Sequence, residues 1–161
     1  MTSITKSFTY SVYNDLSELR EVEKELVLIS RETTKSAYSP YSGFRVGAAI
    51  LLEDGTIIKG NNQENAAYPS GLCAERVAVF STSANHPDTP IKAIAISASA
   101  PEKTIDKPVS PCGSCRQALI EYEVKQQSPI KVILSGEKGK VIIIDSVADL
   151  LPLHFSSVDL K

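Results

Sequence analysis

The three cysteines constrain this chain more than any other feature, because they occur in two short clusters. Cys73 is followed closely by Glu75, and Cys112 and Cys115 form a Pro-Cys-x-x-Cys run. Three thiolates around zinc leave the fourth tetrahedral position open, which is typical of catalytic rather than structural zinc. Glu75, two residues after Cys73, can reach a water in that position. The pattern therefore predicts metal-assisted hydrolysis.

Disulfide pairing and a closed structural zinc site fit the cysteines less well. Disulfide pairing would leave one of the three thiols over. A closed structural zinc site needs a fourth protein ligand, and the only histidines, His86 and His154, do not stand at a ligand-like spacing from a cysteine. An odd cysteine count without a secretory signal favours reduced thiols and a cytoplasmic location.

Composition and charge exclude several classes of protein. The chain has 161 residues with 42% hydrophobic and 22% charged residues, as expected for one globular domain covering 1–161. Its formal net charge of -2 gives no support for nucleic-acid binding. Its apolar runs are too short to cross a bilayer, so no membrane association is expected.

Apolar spacing predicts alternating strands and helices. A helix is expected from Asp15 to Tyr38, with Asp15 and Glu18 as a capping box at its start. Two further helices should begin near Cys73 and Cys112, and a short last one at Ser146. Strands are expected at 44–52, 56–60, 91–97, 130–134 and 141–144, the first two joined by the turn pair Asp54-Gly55.

This order of elements predicts an α/β protein with one mixed sheet and helices on both faces. The first hairpin should be antiparallel and the later crossovers parallel. Residues 1–15 form an N-terminal extension before the first predicted helix, and the sequence assigns no role to it.

Both cysteine clusters fall at predicted helix N-termini, where the partial positive charge stabilises a thiolate. Zinc with three thiolates still carries a net charge of about -1, so a nearby cation should compensate. Arg76 is the candidate to hydrogen-bond a thiolate. Arg116 is interpreted as a surface arginine.

The residues Cys73, Glu75 and Pro111-Cys112-x-x-Cys115 resemble the signature of zinc-dependent cytidine deaminases, in which the glutamate is the general acid and base. The chain is most similar to their small three-cysteine type. The resemblance extends roughly from Thr33 to Leu160. It implies a three-layer α/β/α fold with a five-stranded mixed sheet, one Zn²⁺ per chain, and a homotetramer with shared active sites.

The same resemblance implies the substrate-binding residues. Asn62 and Glu64 would hydrogen-bond the sugar, and Phe44 would pack on the base or sugar. The backbone N–H of Ala74 would hold the base carbonyl, and the carbonyl of Ser110 would accept from the exocyclic amine. Turn positions for Asn62 and Glu64, and a strand-start aromatic for Phe44, are the simpler interpretations.

Three further residues are implied at subunit interfaces. Phe155 would stack near the base in a neighbouring subunit's site, and the segment from Ala66 to Tyr68 would also contribute across an interface. A core position for Phe155 in its own subunit is the alternative.

The expected function is hydrolytic deamination of cytidine, and of deoxycytidine, to the uridine product and ammonia in pyrimidine salvage. Two alternatives remain open. One is a deaminase of another aminated pyrimidine nucleoside, such as a nucleoside antibiotic. The other is a non-catalytic zinc-stabilised binding domain.

Overall fold

The centre of the structure, a computed structural model that describes residues 1–160, is one six-stranded mixed sheet. Across the sheet the strands lie in the order β1-β6-β5-β4-β2-β3. In chain order they are β1 (Ser11–Tyr13), β2 (Arg45–Leu52), β3 (Ile57–Asn61), β4 (Ile91–Ser99), β5 (Lys131–Ser135) and β6 (Val141–Ile144).

Three helices cover the two faces of this sheet: α1 (Glu21–Thr33), α2 (Ala74–Asn85) and α3 (Gly113–Gln126). On one face, Leu26 and Val27 of α1 pack in one cluster with Ala49 and Ile133. The opposite face packs against α2 and α3 through a second cluster, whose members include Ala78, Val79, Ile94, Leu119 and Ile120. The predicted three-layer α/β/α architecture is therefore confirmed.

The number of strands differs from the five predicted, because the N-terminal extension adds β1 at one edge. β1 pairs antiparallel with β6, with Val12 opposite Ile142. This strand has only three residues and two of them are exposed, so it lacks the apolar run by which the other strands were predicted.

The strand directions also differ in part from the prediction. The only parallel pair among the described residues is β4 with β5, connected through α3. The chain passes from the hairpin of β2 and β3 through α2 into β4, and β4 nevertheless lies antiparallel beside β2. β5 and β6 form an antiparallel hairpin. Apolar runs identify strands but do not specify which neighbour each strand pairs with.

The first helix is shorter than predicted. Asp15 accepts a hydrogen bond of 2.7 Å from the backbone N–H of Ser17, so it caps a separate 3₁₀ helix at Leu16–Glu18. α1 begins at Glu21, and a 3₁₀ turn at Thr34–Ser36 follows it. The short last helix predicted at Ser146 is likewise a 3₁₀ helix, Val147–Leu150, which the Ser146 side chain caps.

A buried carboxylate, Glu23, lies on α1 and is only 6% exposed. It pairs with Arg20 and with Lys131, whose Nζ lies 2.8 Å from Oε1. Burial alone would raise the pKa of Glu23, but the hydrogen bonds from Arg20 and Lys131 outweigh it and lower the pKa to about 2. The ionised carboxylate therefore links α1 to β5.

This link predicts a pH-dependent stability. Because the pKa of Glu23 falls from 4.5 to about 2 on folding, its contribution is complete above about pH 4.5 and is lost as the pH falls towards 2. We expect Glu23→Gln to lower the free energy of unfolding by about 1–3 kcal/mol at pH 7 and by much less near pH 2.5. Urea unfolding at both pH values measures the difference, with Glu21→Gln, an exposed site on the same helix, as the control. An equal loss at both pH values would contradict a charge-dependent link.

Helix α2 lies against the backbone of β3. A Cβ atom at Gly60 would stand 2.6 Å from the carbonyl oxygen of Ala74 and 2.5 Å from the amide nitrogen of Ala78. Only glycine permits this approach, which fixes the first turn of α2 and the residue before it, Cys73, relative to the sheet. Among residues 1–160, no helix combines the length and apolar character needed to cross a membrane.

Candidate active site

Two helices begin at the cysteine clusters, as predicted. Cys73 is the N-cap of α2 and Cys112 is the N-cap of α3, both in extended backbone conformation. Their carbonyl oxygens accept the first helical hydrogen bonds, from Val77 and Arg116. Neither thiol caps its own helix. Both side chains can therefore act together with Cys115, which lies in the first turn of α3.

The three sulfur atoms form a compact triangle. They all lie within 4.8 Å of one another, with Sγ–Sγ distances of 3.9 Å from Cys73 to Cys112 and 3.5 Å from Cys112 to Cys115. Zn–S bonds of about 2.3 Å at tetrahedral angles place two sulfurs about 3.8 Å apart. The triangle thus has the size and the donor atoms that a zinc ion requires. Among the described residues, no other group of His, Cys, Asp or Glu side chains is arranged so that it could hold a metal ion.

The charges of the thiols also favour a cation. The pKa of Cys73 is lowered to about 5, chiefly because Cys115 donates a hydrogen bond to its sulfur. Burial opposes this shift, and a hydrogen bond from Arg76 adds to it. The same hydrogen bond raises the pKa of Cys115, which burial raises further. Deprotonation of one thiol in the cluster is therefore favourable, whereas deprotonation of a further thiol is unfavourable. A bound divalent cation is what would allow all three to be thiolates.

Glu75 and Arg76 complete the immediate surroundings of the thiols. The Glu75 side chain is 4% exposed and borders the same pocket as Cys73 and Cys112, and burial raises the pKa of its carboxyl group. Arg76 directs Nη2 towards the sulfur of Cys73 at 3.9 Å. Burial alone would lower the pKa of Arg76, but the hydrogen bond to Cys73 and the charges of Cys73 and Cys115 together outweigh it and raise the pKa. The cation expected beside the thiolates is therefore present.

Arg116 is not the surface arginine that the sequence suggested. Its Nε donates to the carbonyl oxygen of Pro111 at 3.0 Å, and Nη1 donates to that of Leu150 at 2.9 Å. The side chain thus ties the loop before Cys112 to the C-terminal segment. The prediction was wrong because Leu150 is 34 residues away in the sequence, so no local pattern could indicate the contact.

A pocket of about 680 Å³ opens beside the thiols. It is large enough for a small-molecule ligand. Several predicted substrate-binding residues border it, together with Glu75, Arg76 and two of the cysteines: Phe44, Asn62, Glu64, Tyr68 and Ser110. Segments far apart in the sequence therefore meet at one cavity.

The predicted sugar-binding side chains also hold the pocket wall. The Asn62 amide accepts from the backbone N–H of Val46 at 2.7 Å and donates to the carbonyl of Phe44 at 2.9 Å. The Glu64 carboxylate accepts from the backbone N–H of Tyr41 at 2.9 Å and from the Ser42 hydroxyl, and these hydrogen bonds lower its pKa. Both side chains fix the backbone around Phe44, a role that the sequence did not reveal.

Four predicted residues do not border this pocket within the described chain. Cys115 is buried behind it in the sulfur triangle, and Ala74 is fully buried at the start of α2. Ala66 lies in the exposed segment that precedes a 3₁₀ turn at Tyr68–Ser70. Phe155 is 58% exposed, which excludes the alternative of a core position in its own chain.

Comparison with known proteins now identifies the family. The sequence model of the cytidine and deoxycytidylate deaminase zinc-binding region matches residues 20–128. A cytidine deaminase from Sporosarcina psychrophila is 44% identical over 141 residues, which cover 88% of this chain and 96% of that protein. The chain belongs to the cytidine and deoxycytidylate deaminase family.

Structural similarity agrees with this membership. A cytidine deaminase crystal structure from Burkholderia pseudomallei superposes with a TM-score of 0.71 and 38% identity, covering 81% of this chain and 97% of that one. A blasticidin-S deaminase from Bacillus cereus is more distant, with 27% identity over 92% of this chain and 97% of that protein. Membership in a zinc-binding deaminase family and the sulfur triangle together give this chain one zinc ion, and the predicted cofactor is confirmed.

Proposed function

We propose that this protein catalyses the hydrolytic deamination of cytidine and deoxycytidine in pyrimidine salvage. The observation that carries the proposal is the convergence of the sulfur triangle, Glu75 and the predicted nucleoside-binding residues on one pocket. The 44% identity to a cytidine deaminase over 88% of the chain supports the same reaction.

The ligands of the zinc would be Cys73, Cys112 and Cys115, and the bound ion would supply a Lewis acid that activates water. The base would lie with its carbonyl at the Ala74 N–H and its exocyclic amine at the Ser110 carbonyl. Phe44 would pack against the nucleoside, and Asn62 and Glu64 would bind the sugar hydroxyls.

Glu75 would move the protons. Water adds to the base so that its oxygen bonds to C4, and Glu75 transfers one water proton to N3. The second proton then passes through Glu75 to the exocyclic amine. The C4–N bond breaks, ammonia leaves, and the oxygen remains as the C4 carbonyl of the uridine product. The buried position of Glu75 and its raised pKa suit a group that both accepts and donates a proton.

The charges of the pocket favour a nucleoside over a nucleotide. Among the described residues that border the pocket, Arg76 is the only cationic one, and it is directed towards Cys73. Glu64 and Glu75 add two carboxylates to the same lining. A phosphate would need a cationic partner, which this lining does not offer. We therefore propose a free nucleoside as substrate.

A substrate panel tests the proposal. Zinc-loaded protein is incubated with cytidine, deoxycytidine, deoxycytidine monophosphate and blasticidin S, and ammonia and the deaminated product are both quantified. We expect kcat/KM to be highest for the two nucleosides and at least about tenfold lower for the nucleotide. Preference for blasticidin S would establish the antibiotic alternative. Absence of ammonia with every compound would favour the non-catalytic zinc domain.

We also propose that the protein acts as a cytoplasmic homotetramer with shared active sites. The exposure of Phe155 and its absence from the pocket lining of its own chain support a position in a neighbouring subunit's site. The exposed aromatic ring of Tyr68 supports a subunit contact at the Ala66–Tyr68 segment. Three free thiols among the described residues suit a reducing compartment.

Subunit mixing gives a direct prediction for shared sites. Glu75→Gln chains and Phe155→Ala chains are each impaired, but a mixed oligomer contains sites with Glu75 from one chain and Phe155 from another. We expect the co-refolded mixture to show more activity than the sum of its parents. Glu75→Gln mixed with Phe80→Ala, at an exposed phenylalanine outside the pocket, is the control and should give only the sum. No gain in verified mixed oligomers, or a fully active monomer, would exclude shared sites.

A further inference from the structure

The C-terminal segment from Leu150 to Phe155 is held through its backbone carbonyls by three side chains. Arg116 Nη1 donates to Leu150 at 2.9 Å, Lys6 Nζ donates to Pro152 at 2.7 Å, and Gln117 Nε2 donates to Phe155 at 2.8 Å. These contacts are distributed along the segment from its first residue to its last.

Apolar burial fixes only the start of this segment, where Leu150 and Leu151 pack against the core cluster beneath α2 and α3. It begins at the last residue of one short 3₁₀ helix, Val147–Leu150, ends before another, Ser157–Leu160, and is not part of the sheet. The Leu153 and Phe155 side chains are 88% and 58% exposed. A stretch with few buried apolar contacts opens easily, so the position of residues 152–155 depends on the hydrogen bonds that they make.

The three donors come from two functionally different parts of the molecule. Arg116 and Gln117 follow Cys115 directly on α3, so they move with the metal-binding helix. Lys6 belongs to the N-terminal extension, which β1 fixes to the edge of the sheet by pairing with β6. The N-terminal extension and the metal-binding helix therefore meet on the same C-terminal segment.

We propose that Gln117 and Lys6 are positioning residues that hold the C-terminal segment where Phe155 can reach substrate. This assigns a role to the N-terminal extension, and it rests on the role proposed above for Phe155. Arg116 fixes the start of the segment and the Pro111 carbonyl together, so it links the segment to the loop that carries Ser110 and Cys112.

The test uses full-length, zinc-loaded variants that remove one donor each without adding charge. Gln117→Met and Lys6→Met remove the hydrogen bonds, and Lys6→Arg restores a donor. Gln127→Met and Lys138→Met change exposed residues elsewhere and serve as matched controls. Zinc content and thermal unfolding establish that each variant is folded and loaded.

Two readouts are combined. Amide hydrogen exchange in residues 151–160 should become roughly threefold to tenfold faster in both Met variants, with exchange in α3 and β4 unchanged. The KM for cytidine should rise roughly threefold to tenfold while kcat stays within about twofold, because the acid–base group is untouched. Lys6→Arg should return both values towards wild type.

Unchanged exchange in residues 151–160 would show that the side chains do not hold the segment and would overturn the proposal. Faster exchange with an unchanged KM would overturn it as well, because it would show that loosening the segment does not affect substrate binding. Failure of the proposed function is distinguishable, since it would appear as absence of cytidine turnover in the wild-type protein, whereas exchange does not depend on turnover.

Discussion

Replacement of Glu75 by glutamine should abolish turnover while leaving the zinc in place. Glutamine keeps the size of the buried side chain but cannot accept a proton from water or donate one to N3 and the amine. General acid–base catalysis contributes typically about 10²–10⁴-fold, so we expect kcat to fall at least about 10²-fold. The zinc content per chain and the steady-state kinetics with cytidine are the two measurements.

The control for this prediction is Glu121→Gln, a change of the same type at an exposed position on α3. It should leave both zinc content and kcat at the wild-type level. If Glu75→Gln retained zinc and kept activity within about tenfold of wild type, the proton-transfer role of Glu75 would be wrong. If it lost zinc, Glu75 would act on the metal site instead.

The greatest loss of stability should come from Glu123, a buried carboxylate of α3 that lies outside the active site. It accepts from the backbone N–H groups of Ile130 and Val147, both at 2.8 Å, from that of Ala148 at 3.1 Å, and from the Ser146 hydroxyl. One side chain thereby joins α3 to the start of β5 and to the turn after β6.

Truncation of this residue leaves several buried donors without partners. We expect Glu123→Ala to lower the free energy of unfolding by about 3–5 kcal/mol, because each unsatisfied buried donor costs about 1–3 kcal/mol and water relieves part of that cost. Glu121→Ala, two residues earlier and exposed, should cost less than about 0.5 kcal/mol. Urea unfolding at one fixed protein concentration compares the two variants. Equal effects would contradict the structural role of Glu123.

The metal site could be predicted from the sequence because its chemistry is local. Cys112 and Cys115 are three residues apart, and Glu75 follows Cys73 by two, so each cluster indicates a helix start that carries metal ligands. The structure then brings together two clusters that are distant in sequence. The roles of Arg116 and Glu123 were not predictable, because their partners lie 5–34 residues away and, apart from the Ser146 hydroxyl, are backbone groups without a sequence signal.

The limits of the fold prediction have a similar cause. Apolar spacing predicted β2 to β6 within a few residues, but it could not indicate that a charged residue of α1, Glu23, is buried. Glu23 is buried because Arg20 and Lys131 neutralise its charge. β1 was not predicted because only one of its three residues, Tyr13, packs against the core, and its pairing with β6 has no signal in the local sequence.

A zinc ion bound by Cys73, Cys112 and Cys115 should be what makes this chain a cytidine deaminase. The most decisive experiment follows ammonia release from cytidine as zinc is returned stepwise to chelator-treated protein. Activity should rise in proportion to bound zinc and reach its maximum at one ion per chain, and Cys112→Ser should reduce both the zinc bound and the activity. Full activity in protein without zinc, or no ammonia at one zinc per chain, would contradict this mechanism.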